Sequence, residues 1–455
     1  MNQSRRRFVG QCAAVVGTSA VSAMTGRMSA EAAQAQPLRN WAGNYEYSTN
    51  RITSATSLAQ IQEFVRTHEH FKVLGSRHCF NGIADSADHF LSLREMKAVV
   101  ALDRTARTVT VDSGMSYGQL CPSLDRDGFA LHNLASLPHI SIAGACATGT
   151  HGSGVNNGNL STAVSAFEIV TADGGVLSIA RRTDPRTFAA SVVNLGALGV
   201  VTRVTLDVQP AFTMGQDVYL DMPMAQVRDH FEDIVSAGYS VSLFTDWQSQ
   251  TITEAWIKNR LGGQDAVEYG EEFFGAKAAT QNLHPIAALP AENCTEQMDI
   301  PGRWYERLPH FKMGFTPSSG VELQTEYFVS QRNAVDAILA VNGLATTIAP
   351  LLYISEIRTI AADDLWISPC YRQPTVAIHF TWKPDWNAVS QVLPLIEKEL
   401  SPYAARPHWG KLFTMSPEVL ASRYERLDDF RKLASTYDPK GKFRNDFLNK
   451  YIFRE

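Results

Sequence analysis

Hydrophobic positions recur along this chain with two different periods, and the balance shifts near residue 212. Before it, short elements alternate. Residues 51–54 read as an extended lead-in. Ser57 is placed to cap a helix whose apolar positions, Leu58, Ile61, Phe64 and Val65, follow helical spacing. Residues 72–74 predict a strand stopping at Gly75, residues 108–112 alternate as a strand does, and Leu120 and Leu124 suit a short helix. Residues 166–171 and 176–179 flank Ala172-Asp173-Gly174-Gly175 as a hairpin, and residues 200–208 predict another strand. After residue 213, helices are expected at 224–236, 330–341 and 386–396, with strands at 322–328, 351–359 and 375–382. The reading is α+β: a mixed unit over 40–212, then a second unit over 213–420 with helices covering a sheet.

The later strands carry polar residues in apolar surroundings. Glu356 and Arg358 lie two apart, hence on one face. His379 and Thr381 share a face, with Val376, Ile378, Phe380 and Trp382 on the other. Gln324 sits between Glu322 and Glu326, and Lys411 follows the turn His408-Trp409-Gly410. Any one of these is more often a surface or internally satisfied residue. Three strands converging with Gln, Glu/Arg and His/Thr point to a site.

Composition narrows the class. A chain of 455 residues suggests two domains, and 45% hydrophobic with 19% charged residues allows a sizeable core. A net charge of −5 lowers the weight of a nucleic-acid binder. Residues 1–35 stand apart: Ser4-Arg5-Arg6-Arg7-Phe8-Val9, a mild Ala/Val/Gly/Ser stretch, then small-x-small sites at Ala30-Glu31-Ala32 and Ala33-Gln34-Ala35. This order reads as a twin-arginine export signal, its apolar part too short and weak for an anchor. A periplasmic or secreted protein without a membrane anchor is expected. Such export is associated with passengers that fold around a cofactor before crossing. Cys12 leaves with the signal. Cys79, Cys121, Cys146, Cys294 and Cys370 remain, with no spacing that suggests a disulfide framework or zinc site. His132, His139 and His151 are close in sequence but have no cysteine or carboxylate cluster beside them, so no metal is expected.

Two glycine-bearing segments carry the chemical signal. Gly144-Ala145-Cys146-Ala147-Thr148-Gly149-Thr150-His151-Gly152-Ser153-Gly154 predicts a tight loop whose backbone N–H groups can cradle phosphate oxygens. It lacks the ending of a P-loop and the setting of a dinucleotide fingerprint. Gly75-Ser76-Arg77-His78-Cys79-Phe80-Asn81 adds backbone donors, a guanidinium and a histidine after a strand.

These segments, with SGMSYGQL at 113–120, the run Asn133 to Ala143 leading into GACATGTHGSG, and DPKGKF at 438–443, give the chain its family likeness over roughly residues 40–455. It resembles the vanillyl-alcohol-oxidase-type flavoproteins, in the alditol oxidase and sugar-1,4-lactone oxidase branch. The resemblance implies a two-subdomain FAD-binding domain of the PCMH type over 40–212, a cap or substrate domain with a mixed or antiparallel sheet over 213–420, and a segment over 421–455 returning to the FAD domain. It implies FAD bound covalently through His78. Gly75, Ser76, Arg77, Cys79, Phe80, Asn81, Ser136, Ser141, Gly144, Ala145, Cys146, Ala147, Gly149 and His151 are implied as cofactor contacts. Ser136, Gln324, Glu356, Arg358, Thr381 and Lys411 are implied as substrate contacts, and Glu356, Arg358, His379 and Lys411 as catalytic.

The implied reaction is oxidation of a terminal carbinol of a polyol such as xylitol or sorbitol, with hydride passing to flavin N5 and O₂ reduced to H₂O₂. Arg358 and Lys411 would favour alkoxide character. Glu356 and His379 would hold neighbouring hydroxyls or share in proton transfer. Ala135, small, is expected beside the ring where oxygen arrives. The main alternative is a sugar-1,4-lactone oxidase or dehydrogenase, acting on L-gulono- or D-arabinono-1,4-lactone with O₂ or another acceptor. A non-catalytic sugar binder on the same fold would have lost His78 or the polar strand set. A monomer is expected.

Overall fold

Ser57 starts the first helix, Leu58–Thr67, by accepting from the Gln60 amide at 3.3 Å, and the helix buries Ile61, Phe64 and Val65. The following strand, Lys72–Leu74, pairs in parallel with Phe90–Ser92, which pairs in parallel with Ile52–Ser54 on its other side. The structure is a computed structural model. It describes residues 37–248, 250–262, 269–315 and 321–454. The basic segment read as an export signal, residues 1–35, lies outside them.

An antiparallel sheet follows, in the spatial order Val99–Asp103, Thr108–Asp112, Val200–Asp207, Val164–Val170, Val176–Ala180. The expected hairpin is its edge, with Val170 opposite Val176 and Gly174 at φ +82°. The glycine-rich segment is a partial correction. Ile142–Ala147 is a helix rather than a loop. Only Gly144 falls inside it, while Ile142, Ala145 and Cys146, at helical spacing, bury their side chains together. The open turn begins only at Gly149, φ +68°.

The second half forms a ten-stranded sheet. Its order is Glu272–Phe273, Ala276–Ala278, Thr213–Pro223, Thr251–Arg260, Ser240–Thr245, Leu352–Ile360, Thr375–Trp382, Leu323–Ser330, Arg406–Pro407, with Gly302–Arg303 paired to Thr213–Pro223. Every pairing in it is antiparallel. The expected helices are Met224–Val235, Ala334–Asn342 and Trp386–Leu400. Trp386–Leu400 lies on the apolar face, where Tyr327 donates to Glu397 at 2.8 Å, and Ala334–Asn342 packs beside it. Among the described residues no single helix is long and apolar enough to cross a membrane.

The C-terminal turn packs on the N-terminal sheet. Buried Asp438 accepts from the Lys442 and Phe443 amides, both at 2.8 Å, and Phe443 joins Phe64, Phe71 and Leu91 in one apolar cluster. Asn445 donates to the carbonyls of Gly82, Ile83 and Asp85. All five cysteines of the described chain are free thiols, and all but Cys79 are buried.

Candidate active site

The loop that follows strand Lys72–Leu74 needs unusual backbone. Arg77 sits at φ +60°, and a Cβ on Gly75 would come within 2.9 Å of Ser141 Oγ. A Cβ on Gly144 would lie 2.7 Å from the same oxygen. The Ser141 amide faces Ser76 Oγ at 3.4 Å, and His139 Nε2 lies 3.3 Å from His78 Nδ1. The two glycine-bearing segments, some sixty residues apart in sequence, therefore adjoin through Ser141 and the histidine pair. The Trp41 ring lies against His78 with centroids 4.5 Å apart and planes inclined at 41°. Burial, His139, Lys411 and His379 push His78 down to about 3, so its imidazole is neutral.

The loop is also tied to the turn that carries Lys411. Phe80 N–H donates to the Gly410 carbonyl at 2.7 Å, and Asn81 Nδ2 donates to the carbonyls of Trp409 and Lys411 at 2.9 and 2.7 Å. Lys411 in turn reaches the sheet, donating to Glu326 Oε2 at 2.7 Å and to His379 Nδ1 at 2.6 Å. With Nδ1 accepting, His379 carries its proton on Nε2 and donates to Thr381 at 3.0 Å.

Sheet register assembles the rest. Glu356, His379 and Glu326 are direct cross-strand partners on three neighbouring strands, and Thr381 lies opposite Gln324. Arg358 donates to Glu326 Oε1 at 2.8 Å, approaches Glu356 at 3.5 Å and reaches Ser136 Oγ at 3.5 Å. Burial pushes the Glu326 carboxyl up, but Lys411, His151 and Arg358 outweigh it and hold it well below the usual range. Burial likewise opposes ionisation of Glu356, but Arg358 and His310 outweigh it, and the group stays a carboxylate. Burial and Lys411 push His379 down to about 4, and burial lowers Lys411 itself. At neutral pH the face therefore holds two carboxylates and a guanidinium around a neutral imidazole.

The structure brings together Gly75, Ser76, Arg77, His78, Cys79, Phe80, Asn81, Ser141 and Gly144 on one side, and Gln324, Glu356, Arg358, His379, Thr381 and Lys411 on the other, with Ser136 joined to Arg358. It does not place every implied cofactor contact alike. Cys146 turns into the core, its Sγ 3.7 Å from Tyr117 OH, and Ala145 is buried there too. Ala147 accepts from the Leu195 amide, and Gly149 abuts Pro369. His151 sits under the polar face, its Nε2 3.3 Å from Glu326. Ala135 packs at the edge of the core. His132 keeps to the Gly158 carbonyl, so the three neighbouring histidines serve three different places.

Glu326, the hub of the face, was visible in sequence only as a flank of Gln324. Trp41 and His139 carried no periodic signal. His310, 2.7 Å from Glu356 Oε1, and Lys258 behind it lie on segments with no motif. The residues present suit a flavin dinucleotide. Glycines stand where a side chain would crowd the junction of the two segments, His139 Nδ1 is buried without a hydrogen-bond partner, and neutral His78 lies beside the substrate-type polar face.

Comparison with known proteins agrees. Residues 50–180 match the FAD binding domain family and residues 322–451 the D-arabinono-1,4-lactone oxidase family. The chain is 45% identical over 416 residues to an alditol oxidase of Streptomyces sp., covering 91% of this chain and 98% of that protein. It is 27% identical over 431 residues to an L-gulono-1,4-lactone dehydrogenase of Mycobacterium tuberculosis, covering 91% and 98%. Among solved structures, cholesterol oxidase from B. sterolicum superposes with a TM-score of 0.75 at 16% identity, over 92% of this chain and 96% of that one. That likeness describes the fold.

Proposed function

This chain belongs to the alditol oxidase family of FAD-dependent oxidoreductases acting on CH–OH donors, and we propose that its own substrate is a polyol such as xylitol or sorbitol, oxidised at a terminal carbinol. The supporting observation is the mixed character of the polar face. Arg358, Lys411 and Glu356 are charged, while His379, Thr381, Gln324 and Ser136 are neutral and capable of donating or accepting. A row of hydroxyls needs such a set, whereas a single anionic substrate would need one dominant charge. FAD, when bound, would supply the hydride acceptor and the reoxidation by O₂ that yields H₂O₂. The chain's part is to hold the carbinol. Arg358 and Lys411 stabilise the oxygen as its proton passes to the neighbouring Glu356 or His379, and Thr381 and Gln324 take the next hydroxyls along the strands.

The match of residues 322–451 to a lactone oxidase family favours a second reading, a sugar-1,4-lactone substrate. Anaerobic stopped-flow bleaching with xylitol, sorbitol and L-gulono-1,4-lactone separates the two. Polyols should bleach the flavin fast and saturably, and faster bleaching by the lactone would reverse the assignment. Oxygen consumption with H₂O₂ release after admitting air tests the acceptor.

His78 is proposed as the covalent attachment point of FAD, supported by its neutral imidazole at the junction of the two segments. An acid-precipitated pellet should stay yellow, and His78→Ala should release the flavin to the supernatant. Export by the twin-arginine route to the periplasm or medium is proposed from Ser4-Arg5-Arg6-Arg7-Phe8. Replacing Arg5 and Arg6 by Lys should retain the protein inside the cell. A monomer is proposed, to be read by light scattering.

A further inference from the structure

Behind Glu356, on the side away from Glu326, lies a second group of titratable residues that the polyol chemistry does not use. His310 directs Nε2 at Glu356 Oε1, 2.7 Å away, while Arg358 Nε stands 3.5 Å from Glu356 Oε2. The two carboxylate oxygens thus have separate partners. The other ring nitrogen, His310 Nδ1, faces Lys258 Nζ at 3.3 Å. Lys258 is buried within strand Thr251–Arg260 and donates to the carbonyls of Leu308 and Pro309 at 2.7 and 2.9 Å. In its protonated form the amine thus meets three acceptors with three donors. Because Nδ1 accepts from the amine, Nε2 must carry the hydrogen, and His310 is fixed as a donor to the carboxylate. Trp256 closes the pocket edge-on, 5.1 Å from the imidazole, and Phe244 lies 5.5 Å away on its neighbouring strand.

We propose that Lys258 and His310 form a buried positioning pair that locks Glu356 in one orientation, holding Oε1 back from Arg358 so that the guanidinium stays divided between Glu326, Ser136 and the substrate hydroxyl. This inference rests on the polyol reading above. His310 touches neither substrate nor flavin in it and acts through Glu356. Without the imidazole N–H, nothing opposes closure of Glu356 onto Arg358 as a two-oxygen pair, the favoured geometry of carboxylate and guanidinium. The other charged or titratable groups around the pair are Arg307, Cys294, Arg358 and His379, with Glu254 beyond Cys294.

The test uses the flavin-loaded enzyme and three variants. His310→Phe removes both hydrogen bonds, whereas His310→Gln keeps one donor and one acceptor on a single amide. The polyol concentration that half-saturates anaerobic flavin bleaching should rise about tenfold in His310→Phe, with a smaller fall in limiting rate, and should return to within about threefold of wild type in His310→Gln. A merely structural histidine would lower stability in both variants and leave saturation unchanged, which overturns the proposal, as does equal weakening by Gln and Phe. A second readout needs no turnover. In ¹⁵N-histidine-labelled protein at pH 6, where Lys258 still carries all three N–H donors, His310 should show the Nε2–H tautomer and remain neutral, and Lys258→Met should mix its tautomers and raise its midpoint. A wild-type His310 with the proton on Nδ1 would refute the lock. If no polyol bleaches the wild-type flavin, the substrate assignment fails, and the tautomer experiment still decides the pair.

Discussion

The strands Leu323–Ser330, Leu352–Ile360 and Thr375–Trp382 are buried on both faces, yet the two faces follow opposite chemistry. On one, Tyr327, Ile378 and Ile357 lie in register beneath helices, and Phe380 stacks on Trp382 with centroids 5.1 Å apart. On the other, one residue out of step, Glu326, His379 and Glu356 lie in register with no apolar layer between them. Burial does not distinguish the faces, because Glu326 is as enclosed as Ile378. What differs is the source of favourable energy. The apolar face gains by removing surface from water. The polar face loses hydration and is held only because each charge has an opposite charge within 3.5 Å and hydrogen-bond partners beside it. A sheet can therefore carry a reactive surface on a stable core, since alternation separates the two along one backbone.

The comparison can be broken most severely at its hub. Glu326→Gln leaves Arg358 and Lys411 without their shared anion. Stability measured by urea should fall by about 3 kcal/mol, as for other broken buried pairs, and polyol-driven flavin bleaching should slow by about 10²-fold. The opposite face gives the control. Ile378→Ala should cost about 3 kcal/mol as a core truncation, with the bleaching rate per folded, flavin-loaded molecule unchanged. A large rate loss there would show that the faces are not independent.

A pH series sharpens the contrast. Burial pushes Lys258 from 10.5 down to about 7, so between those values the unfolded chain binds more protons than the folded one. This group alone therefore makes stability rise with pH from about 7 to 10.5. Lys258→Met should flatten that rise when urea midpoints are compared at pH 7 and pH 9.5. The smallest effect is expected at Thr381→Val, which removes the acceptor of His379 Nε2–H. Half-saturation by xylitol should rise by about three- to tenfold, the worth of one hydrogen bond, and stability in urea should fall by about 1 kcal/mol because the buried N–H is left unpaired.

Alternation made this contrast legible in sequence. Thr375–Trp382 is legible to the residue, because His379 and Thr381 interrupt one parity of an otherwise β-branched and aromatic run. The neighbouring strands Thr213–Pro223, Ser240–Thr245 and Thr251–Arg260 do not stand out in the pattern. Polar residues such as Gln216, Glu254 and Lys258 occupy their buried positions and blur the pattern. Glu326 was hidden for another reason. Its role exists only once Lys411, 85 positions later, and Arg358 arrive from other segments. The helix Ile142–Ala147 was masked by the glycines around it, although Ile142, Ala145 and Cys146 carry the helical spacing. The glycines of both segments are legible as permissive backbone, but that Ser141 Oγ is what crowds Gly75 and Gly144 depends on how the two segments meet in the fold.

Asn81 has a mechanical consequence. One side-chain amide clasps the backbone on both sides of Gly410, so the segment bearing His78 and the turn bearing Lys411 share a joint instead of moving as separate levers. Any displacement of the first is transmitted to the ammonium that crosses to the sheet. Positioning the His78 imidazole and aiming a cation thus become a single degree of freedom.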